Sequence, residues 1–250
     1  MKKYNVITYF LIFIFIILSK QVSAKINKIL TVGVGWTKPP YVIESENSGF
    51  EIELIKAIFI RMGYQLSFVY VPFGRSHYLL DQNKLDFAMT LSPKLLKNAN
   101  QLSDPYITYK NVAISLKGRG ILVNSISDLS RYSIVAFQNS NIILGQEYSK
   151  AVNKSPFYLE LPDQKKQVEM LLKGRVDMVV MDINIFNYLS KGLLGKNHLN
   201  NVDVHNLFPK NDYRLGFRNK ILKIKFNTAL KKFKQSEQYK VLVNSYEFIQ

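Results

Sequence analysis

Short apolar runs alternate along this chain with stretches of helical period, and this pattern predicts an α/β fold. Ile29–Val34 is a predicted buried strand, and Gln65–Val71 is a second one. Between them, residues 50–62 carry apolar side chains three or four positions apart and end before Gly63, which predicts an amphipathic helix. The loop after the first strand, Gly35–Pro40, contains two successive prolines that a central strand does not tolerate.

A pattern of paired leucines, a polar turn and a short apolar strand occurs twice. The first copy runs from Leu79 to Met89, and the second runs from Leu171 to Val180, roughly ninety residues later. Each copy predicts a helix that leads into a parallel strand, and the repetition indicates two similar α/β lobes. An aspartate begins each strand, Asp86 and Asp177, and both are predicted to hold turns rather than to contact a ligand.

Two further strands are predicted to carry the chain between the lobes. Lys110–Leu116 leads into the second lobe, and Tyr213–Phe217 leads back. The predicted organisation is therefore a first lobe over residues 25–113, a second lobe over 114–213 and a return to the first lobe over 214–250.

The first 24 residues are predicted to be a secretory signal peptide. Lys2 and Lys3 precede an apolar run, Val6–Leu18, that is shorter than a bilayer span, and Val22-Ser23-Ala24 supplies small residues where a signal peptidase needs them. Cleavage after Ala24 places the protein in the periplasm. It also removes three lysines and no acid, so the formal charge falls from +16 to +13. The chain has no cysteine, so neither a lipid anchor nor a disulfide framework is expected.

The positive charge changes this picture little. A surplus of this size can steer anionic ligands, but the abundance of Lys, Asn, Ile, Tyr and Phe indicates a compositional bias, and the lysines over residues 220–233 form the solvated face of an amphipathic helix. No basic block with interleaved aromatic residues predicts nucleic-acid binding. The three histidines lack metal-ligand spacing and no nucleophile motif is present, so no metal, cofactor or catalytic centre is expected.

Four motifs follow one another in the first half of the chain: Pro39-Pro40-Tyr41, Gly49–Leu54, Leu85–Thr90 and Ser103–Tyr106. Their order and spacing resemble the first lobe of the bacterial extracellular solute-binding proteins, family 3. The resemblance implies a type II periplasmic binding fold of the Venus-flytrap kind, with two open α/β sheets joined by two crossing strands. It also implies a monomer that binds a small polar molecule between its lobes and works with an inner-membrane importer or receptor.

Ligands of open α/β sheets bind beyond the carboxyl ends of the strands. The predicted ligand-binding residues at such positions are Trp36, Tyr41, Phe73, Arg75, Thr90 and Ser92 in the first lobe and Ser140, Asn141 and Asp182 in the second. Trp36 stacks on the ligand or, alternatively, packs on its own lobe. Tyr41 forms a wall of the cleft or serves the structure of the Pro-Pro-Tyr turn.

The resemblance implies an arginine that grips the ligand's α-carboxylate, but this chain has no match for it. The corresponding run is Ser92–Lys97, which places Leu95 or Leu96 at the arginine position. Lysine reproduces the two-pronged bond of arginine poorly. Either a lysine of this run turns inward, or Arg75 reaches the cleft from the neighbouring strand end. Arg75 is favoured because its Pro-aromatic-x-Arg run resembles a branch of the family, and the alternative is a surface arginine that caps its helix.

In the second lobe, Val179–Asp182 matches the family's Val-Val-x-Asp, whose carboxylate is implied to take the ligand's ammonium group. Asp182 also begins an apolar helical segment, so it is a candidate helix N-cap as well. The family starts the first helix of this lobe with Gly-Thr, whose exposed N–H groups bind an anion. Here that pair is Ser140-Asn141, which alters the anion site.

Together these observations predict a periplasmic protein that captures an amino-acid-like zwitterion or organic anion and delivers it to an ABC-type importer. Two alternatives stay open. One is a sensory module that reports the ligand to a membrane receptor. The other is a dehydratase-like enzyme on the same fold, against which the absence of a paired acid–base constellation argues.

Overall fold

A computed structural model describes residues 28–72, 75–96, 99–195 and 199–249. Within these ranges the chain forms two five-stranded sheets with helices packed against them, which confirms the predicted two-lobed α/β fold. The strands are β1 (Lys28–Gly35), β2 (Tyr64–Val71), β3 (Phe87–Leu91), β4 (Leu102–Tyr109), β5 (Asn111–Leu116), β6 (Ile134–Phe137), β7 (Tyr158–Leu161), β8 (Met178–Asp182), β9 (Val202–His205) and β10 (Asn211–Phe217). The α-helices are α1 (Phe50–Arg61), α2 (Ser76–Asp81), α3 (Ser140–Ile143), α4 (Gln146–Val152), α5 (Gln164–Leu172), α6 (Ile183–Leu194), α7 (Lys220–Lys234) and α8 (Glu237–Asn244).

The two sheets share one plan. The first has the order β2-β1-β3-β10-β4, with β1 parallel to β2 and β3 and with β10 antiparallel to its neighbours. The second has the order β7-β6-β8-β5-β9, with β6 parallel to β7 and β8 and with β5 antiparallel to its neighbours. In both sheets the strand that arrives from the other lobe takes the fourth place. The loops after β1 and β3, and after β6 and β8, therefore lead to one carboxyl edge of each sheet.

The chain passes between the lobes at two short connections. β4 ends at Tyr109 in the first sheet and β5 begins at Asn111 in the second, so Lys110 joins them, and residues 206–210 form the way back. The chain thus passes from one sheet to the other a few residues before 113 and 213, the predicted limits of the lobes. Backbone groups within a strand must stay paired, which explains why the crossings fall between strands and not along them. Asn111 Nδ2 donates to Asn211 Oδ1 over 3.0 Å and ties the two connections together.

The repeated helix–strand pattern makes the same hydrogen bonds in both lobes. Asp86 Oδ2 accepts the N–H of Thr31 at 2.8 Å, and Asp177 Oδ2 accepts the N–H of Ser133 at 2.9 Å. The carbonyls of Thr31 and Ser133 accept the backbone N–H groups of the same two aspartates in return. Each aspartate therefore fastens the start of its own strand to the start of the neighbouring one.

An arginine from outside the repeat completes each of these turns. Arg218 pairs with the first aspartate at 3.4 Å and donates to the carbonyl of Asn83 at 3.0 Å. Arg119 pairs with the second aspartate and donates to the carbonyl of Gly174 at 2.6 Å. Asn83 and Gly174 both have left-handed backbones, with φ of 58° and 66°, a conformation that Asn and Gly adopt most readily. The two lobes thus repeat the turn in detail, although their sequences differ.

The C-terminal helices pack on the first lobe. The ring of Phe59 in α1 stacks on Phe87 of β3 with centroids 4.5 Å apart and on Phe226 of α7 at 5.6 Å. The predicted signal peptide lies outside the described residues. In the described part of the chain, none of the helices combines the length and the hydropathy that crossing a bilayer requires.

We expect Asp177→Ala to lower the free energy of unfolding by about 1–3 kcal/mol, because Ser133 and Arg119 lose their shared acceptor. Urea denaturation followed by circular dichroism measures the loss. Asp81→Ala, which removes an exposed acid at the end of α2, is the control and should change the value by less than about 0.5 kcal/mol. A loss at Asp177 no larger than the control's would show that its carboxylate does not stabilise the turn.

Candidate functional site

A cavity lies between the two lobes, at the carboxyl ends of β1, β3, β6 and β8. The space inside it, with the open mouth included, is about 550 Å³. Both lobes contribute aromatic faces and a few polar groups to the wall. The lining residues are Gly35, Trp36, Thr37, Lys38, Thr90, Tyr109, Asn111, Phe137, Gln138, Pro162, Gln164, Asp182, Ile185 and Tyr213.

The first lobe contributes a buried ion pair to this wall. Lys38 Nζ lies 3.3 Å from Glu51 Oε1 and donates to Thr90 Oγ1 at 2.8 Å. The hydroxyl of Thr90 donates to Glu51 Oε2 at 2.8 Å, and the hydroxyls of Tyr106 and Tyr109 also donate to this carboxylate. Glu51 is fully buried and accepts from four groups, which fills its capacity. Burial lowers the pKa of Lys38, and Glu51 opposes that effect.

Local hydrogen bonds place the loop that carries Lys38. The first two residues of α1 donate their backbone N–H groups, each at 3.0 Å, to the carbonyls of Pro40 and Tyr41. Gly49 permits this close approach, because its φ is 105° and a Cβ there would lie 2.6 Å from the carbonyl oxygen of Tyr41. The Pro-Pro-Tyr turn therefore docks the loop on the helix that supplies Glu51.

Thr90 has an unusual backbone for a β-branched residue, with a φ of 57°. Its N–H donates to the hydroxyl of Tyr106 at 3.0 Å, while its own hydroxyl accepts from Lys38 and donates to Glu51. These bonds hold the strained conformation near the end of β3. Strain of this kind concentrates at functional sites.

The second lobe contributes a carboxylate, Asp182, at the end of β8. Its Oδ1 accepts the N–H groups of Asn184 at 2.9 Å and Ile185 at 3.2 Å, so it caps α6, and its Oδ2 accepts the N–H of Lys110 at 2.8 Å. Tyr41 of the first lobe donates its hydroxyl to Oδ1 over 3.2 Å. Burial raises the pKa of Asp182 to about 6, against the lowering effect of these hydrogen bonds. Asp182 therefore caps a helix and joins the lobes while it faces the cavity.

Of the predicted ligand-binding residues, Trp36, Thr90 and Asp182 line the cavity. Trp36 is 41% exposed, which places its ring at the mouth. Phe73 lies outside the described residues.

Tyr41 and Ser92 are buried behind the wall. The ring of Tyr41 stacks on Tyr109 with centroids 4.3 Å apart and on Phe248 at 5.5 Å. Ser92 Oγ accepts the backbone N–H of Lys94 at 3.3 Å. Tyr41 therefore supports the wall residue Tyr109 from behind, whereas Ser92 bonds within its own turn and does not line the cavity.

Arg75 lies outside the cavity wall, with its side chain exposed just before α2. It follows β2, an edge strand of the first sheet, and none of the described residues just after that strand lines the cavity. Lys94 also does not face the cavity, because it donates to the carbonyl of Ile143 in the second lobe at 2.6 Å. Leu95 and Leu96 pack against apolar clusters. The cation at the described wall is thus Lys38, and neither Arg75 nor Lys94 lines it. Lys97, the other lysine of the run that was predicted to turn inward, lies outside the described residues.

Ser140 and Asn141 meet a carboxylate of the chain itself. Glu160 on β7 accepts the N–H groups of Asn139 at 2.7 Å and Asn141 at 3.0 Å, and the hydroxyl of Ser140 at 3.0 Å. N–H groups at a helix start attract negative charge, and the neighbouring strand supplies that charge here. Ser140 and Asn141 therefore bind Glu160 within the chain and do not line the described cavity, and their contact with a ligand stays a prediction.

Several polar residues in and behind the cavity wall were not among the predicted ones, and they include Lys38, Glu51, Asn111, Gln138 and Gln164. Glu51 did carry a signal, since it is a carboxylate four residues before a buried isoleucine on a mostly apolar helix. Lys38 carried none, because its partner lies thirteen residues further along the chain in another element. Gln138 lies in the turn after β6 and Gln164 begins α5, so the position of each depends on the second sheet.

The family model for bacterial extracellular solute-binding proteins, family 3, matches residues 30–249. Among solved structures, an ancestral arginine-binding protein bound to arginine is 25% identical, with a TM-score of 0.71, and the match covers 88% of this chain and 98% of that one. An amino acid ABC transporter substrate-binding protein from Streptococcus pneumoniae, bound to L-arginine, is 22% identical, with a TM-score of 0.66 and coverage of 87% and 93%. A histidine kinase sensor domain is 17% identical, with a TM-score of 0.73 and coverage of 88% and 96%. The last two show the shared fold alone. A comparison with curated proteins gives no match.

We expect Glu51→Gln to destabilise the protein by about 3–5 kcal/mol, because it leaves the buried Lys38 ammonium without its counter-charge. Chemical denaturation is the measurement. The double variant Lys38→Met with Glu51→Gln removes both charges and should recover part of the loss. Glu53→Gln on the same helix keeps its bond from Tyr246 and serves as the matched control. Equal losses in Glu51→Gln and Glu53→Gln would contradict a stabilising role for the buried pair.

Proposed function

The chain belongs to the bacterial extracellular solute-binding proteins, family 3, and on that premise we propose that it captures an amino acid or a related small zwitterion between its lobes for delivery to a membrane importer. The observation that carries the proposal is the cavity between the lobes, whose wall is built by both sheets. A ligand that bonds to both walls stabilises the closed arrangement of two lobes that are joined by short connections.

The charged groups at the wall suit a ligand with both signs of charge. Lys38 faces the cavity from the first lobe and Asp182 from the second. Within the described ranges Asp182 Oδ2 accepts one hydrogen bond, from the backbone of Lys110, so it retains acceptor capacity for an ammonium group. Trp36 at the mouth and Thr90 near the end of β3 complete the proposed set of ligand contacts.

Trp36 is the only tryptophan in the chain, so intrinsic fluorescence reports on the cleft directly. We expect a bound ligand to change its emission, and we expect the same ligand to raise the melting temperature, since a ligand at about 100 times its Kd stabilises by about 2.7 kcal/mol. The panel is amino acids, polyamines, organic acids and short peptides. Trp36→Phe is the control, which should lose the optical signal while thermal stabilisation persists. If no compound of the panel gives either signal, the proposed function fails.

Delivery to an importer is tested separately, by uptake of the identified ligand in a strain that lacks this protein. Loss of uptake supports transport. Normal uptake with loss of a response to the ligand would instead favour a sensory module. Chemical conversion of the ligand during incubation with the pure protein would favour the dehydratase-like alternative.

The raised pKa of Asp182 makes ligand binding depend on pH. Below a pH of about 6 the carboxyl is protonated and cannot pair with an ammonium group, so affinity should fall by up to about tenfold per pH unit as the pH drops towards 4.5. In the ligand-free protein the raised pKa affects folding stability, and its pH dependence runs the other way. It stabilises the folded state at low pH, and this contribution is lost as the pH rises through about 6. Titration of Trp36 fluorescence between pH 4.5 and 7.5 measures the affinity. Asp182→Asn should bind more weakly and without this slope, and a slope that persists in the variant would exclude Asp182 as its source.

A further inference from the structure

In the described wall of the first lobe, Lys38 is the charged group that still has an N–H donor to offer a ligand. The Glu51 carboxylate already accepts from Lys38, Thr90, Tyr106 and Tyr109, and the hydroxyl hydrogen of Thr90 is directed to it. Lys38 has three N–H donors, of which one reaches Thr90 and one reaches Glu51. Its third N–H is used by neither of these contacts. Among the described residues of the cavity wall, Lys38 is the one basic side chain.

The second lobe offers the opposite chemistry. Gln138 follows β6 and Gln164 begins α5, and both line the cavity. The side-chain oxygens of both residues are buried and have no hydrogen-bond partner in the described part of the chain. A buried acceptor without a donor is unfavourable, and two of them at one cavity favour a ligand that brings N–H donors to that end.

We propose that the cleft recognises a zwitterion whose carboxylate is bound by Lys38, in place of the family's arginine, and whose far end donates N–H groups to Gln138 and Gln164. The inference rests on the proposed ligand-binding function and narrows its ligand class. Asp182 then takes the α-ammonium group between the two ends. Zwitterions with acidic or purely apolar side chains leave the glutamine oxygens unpaired and bind less tightly.

Two pairs of compounds test this on the unmodified protein by calorimetry. L-Glutamine and L-glutamate have the same shape, but glutamate replaces the terminal N–H donors with acceptors, so glutamine should bind at least about tenfold more tightly. Agmatine is L-arginine without its carboxylate, so it should bind about 10- to 100-fold more weakly than L-arginine, the range expected when a hydrogen bond to a charged group is lost. Equal affinities within either pair would overturn the proposal.

Variants of the protein then test which residues bind each end of the ligand. Lys38→Met should weaken the binding of L-arginine about 10- to 100-fold and change the affinity for agmatine by less than about threefold. The double variant Lys38→Met with Glu51→Gln gives the same comparison without an uncompensated buried charge. Gln138→Leu with Gln164→Leu should reduce the preference for glutamine over glutamate, whereas Arg75→Ala should leave all four affinities unchanged. An arginine-to-agmatine ratio that survives the loss of Lys38, or one that disappears in Arg75→Ala, would overturn the assignment.

These results separate the ligand class from the function itself. If other compounds of the panel change Trp36 fluorescence while neither L-glutamine nor L-arginine binds, the proposed function stands and this inference fails. If no compound binds, the failure belongs to the proposed function.

Discussion

The buried carboxylate of Glu51 is the constraint on which the first lobe's half of the site depends. An ionised group without solvent is costly unless it is paired and fully hydrogen-bonded. Glu51 meets that requirement through Lys38, Thr90, Tyr106 and Tyr109, which come from the loop after β1, from β3 and from β4. The elements that surround the cavity are therefore held in place by the need to satisfy one charge, and the left-handed backbone of Thr90 is held by the same bonds.

The second lobe satisfies its carboxylate differently, and the difference joins the lobes. Among the described residues Asp182 has no cationic partner, and it accepts from backbone N–H groups and from the hydroxyl of Tyr41. Tyr41 belongs to the first lobe and also accepts from Asn184 Nδ2 at 3.1 Å. The backbone of Ile249 donates to Asn184 Oδ1 at 2.6 Å, so the C-terminal segment enters the same network. Any relative movement of the lobes would rearrange the hydrogen bond from Tyr41 to Asp182, so the proposed ligand site is linked to the contact between the lobes.

The sequence was sufficient for the fold but not for the placement of charges. The periodicity of α1, the strand at Ile29–Val34 and the repeated helix–strand pattern all depend on residues close together in the chain, and such local patterns can be seen in one sequence. The strand-end rule was enough to bring Trp36 and Asp182 to the predicted cleft. Partners from distant elements were not predictable, because nothing local shows that Glu160 occupies the start of α3.

Net charge is a poor guide to what the cleft accepts. The chain carries a formal charge of +16, yet the lysines of α7 are exposed to solvent, where charges separated by more than about 8 Å are largely screened at physiological ionic strength. The one lysine at the described cavity wall is already paired with Glu51, and Asp182 adds a carboxylate at the same wall. Short-range pairing inside a low-dielectric cavity outweighs a screened surface field. The proposed choice of ligand rests on Lys38, Asp182 and the two glutamine oxygens, and an anionic preference does not follow from the basic surface.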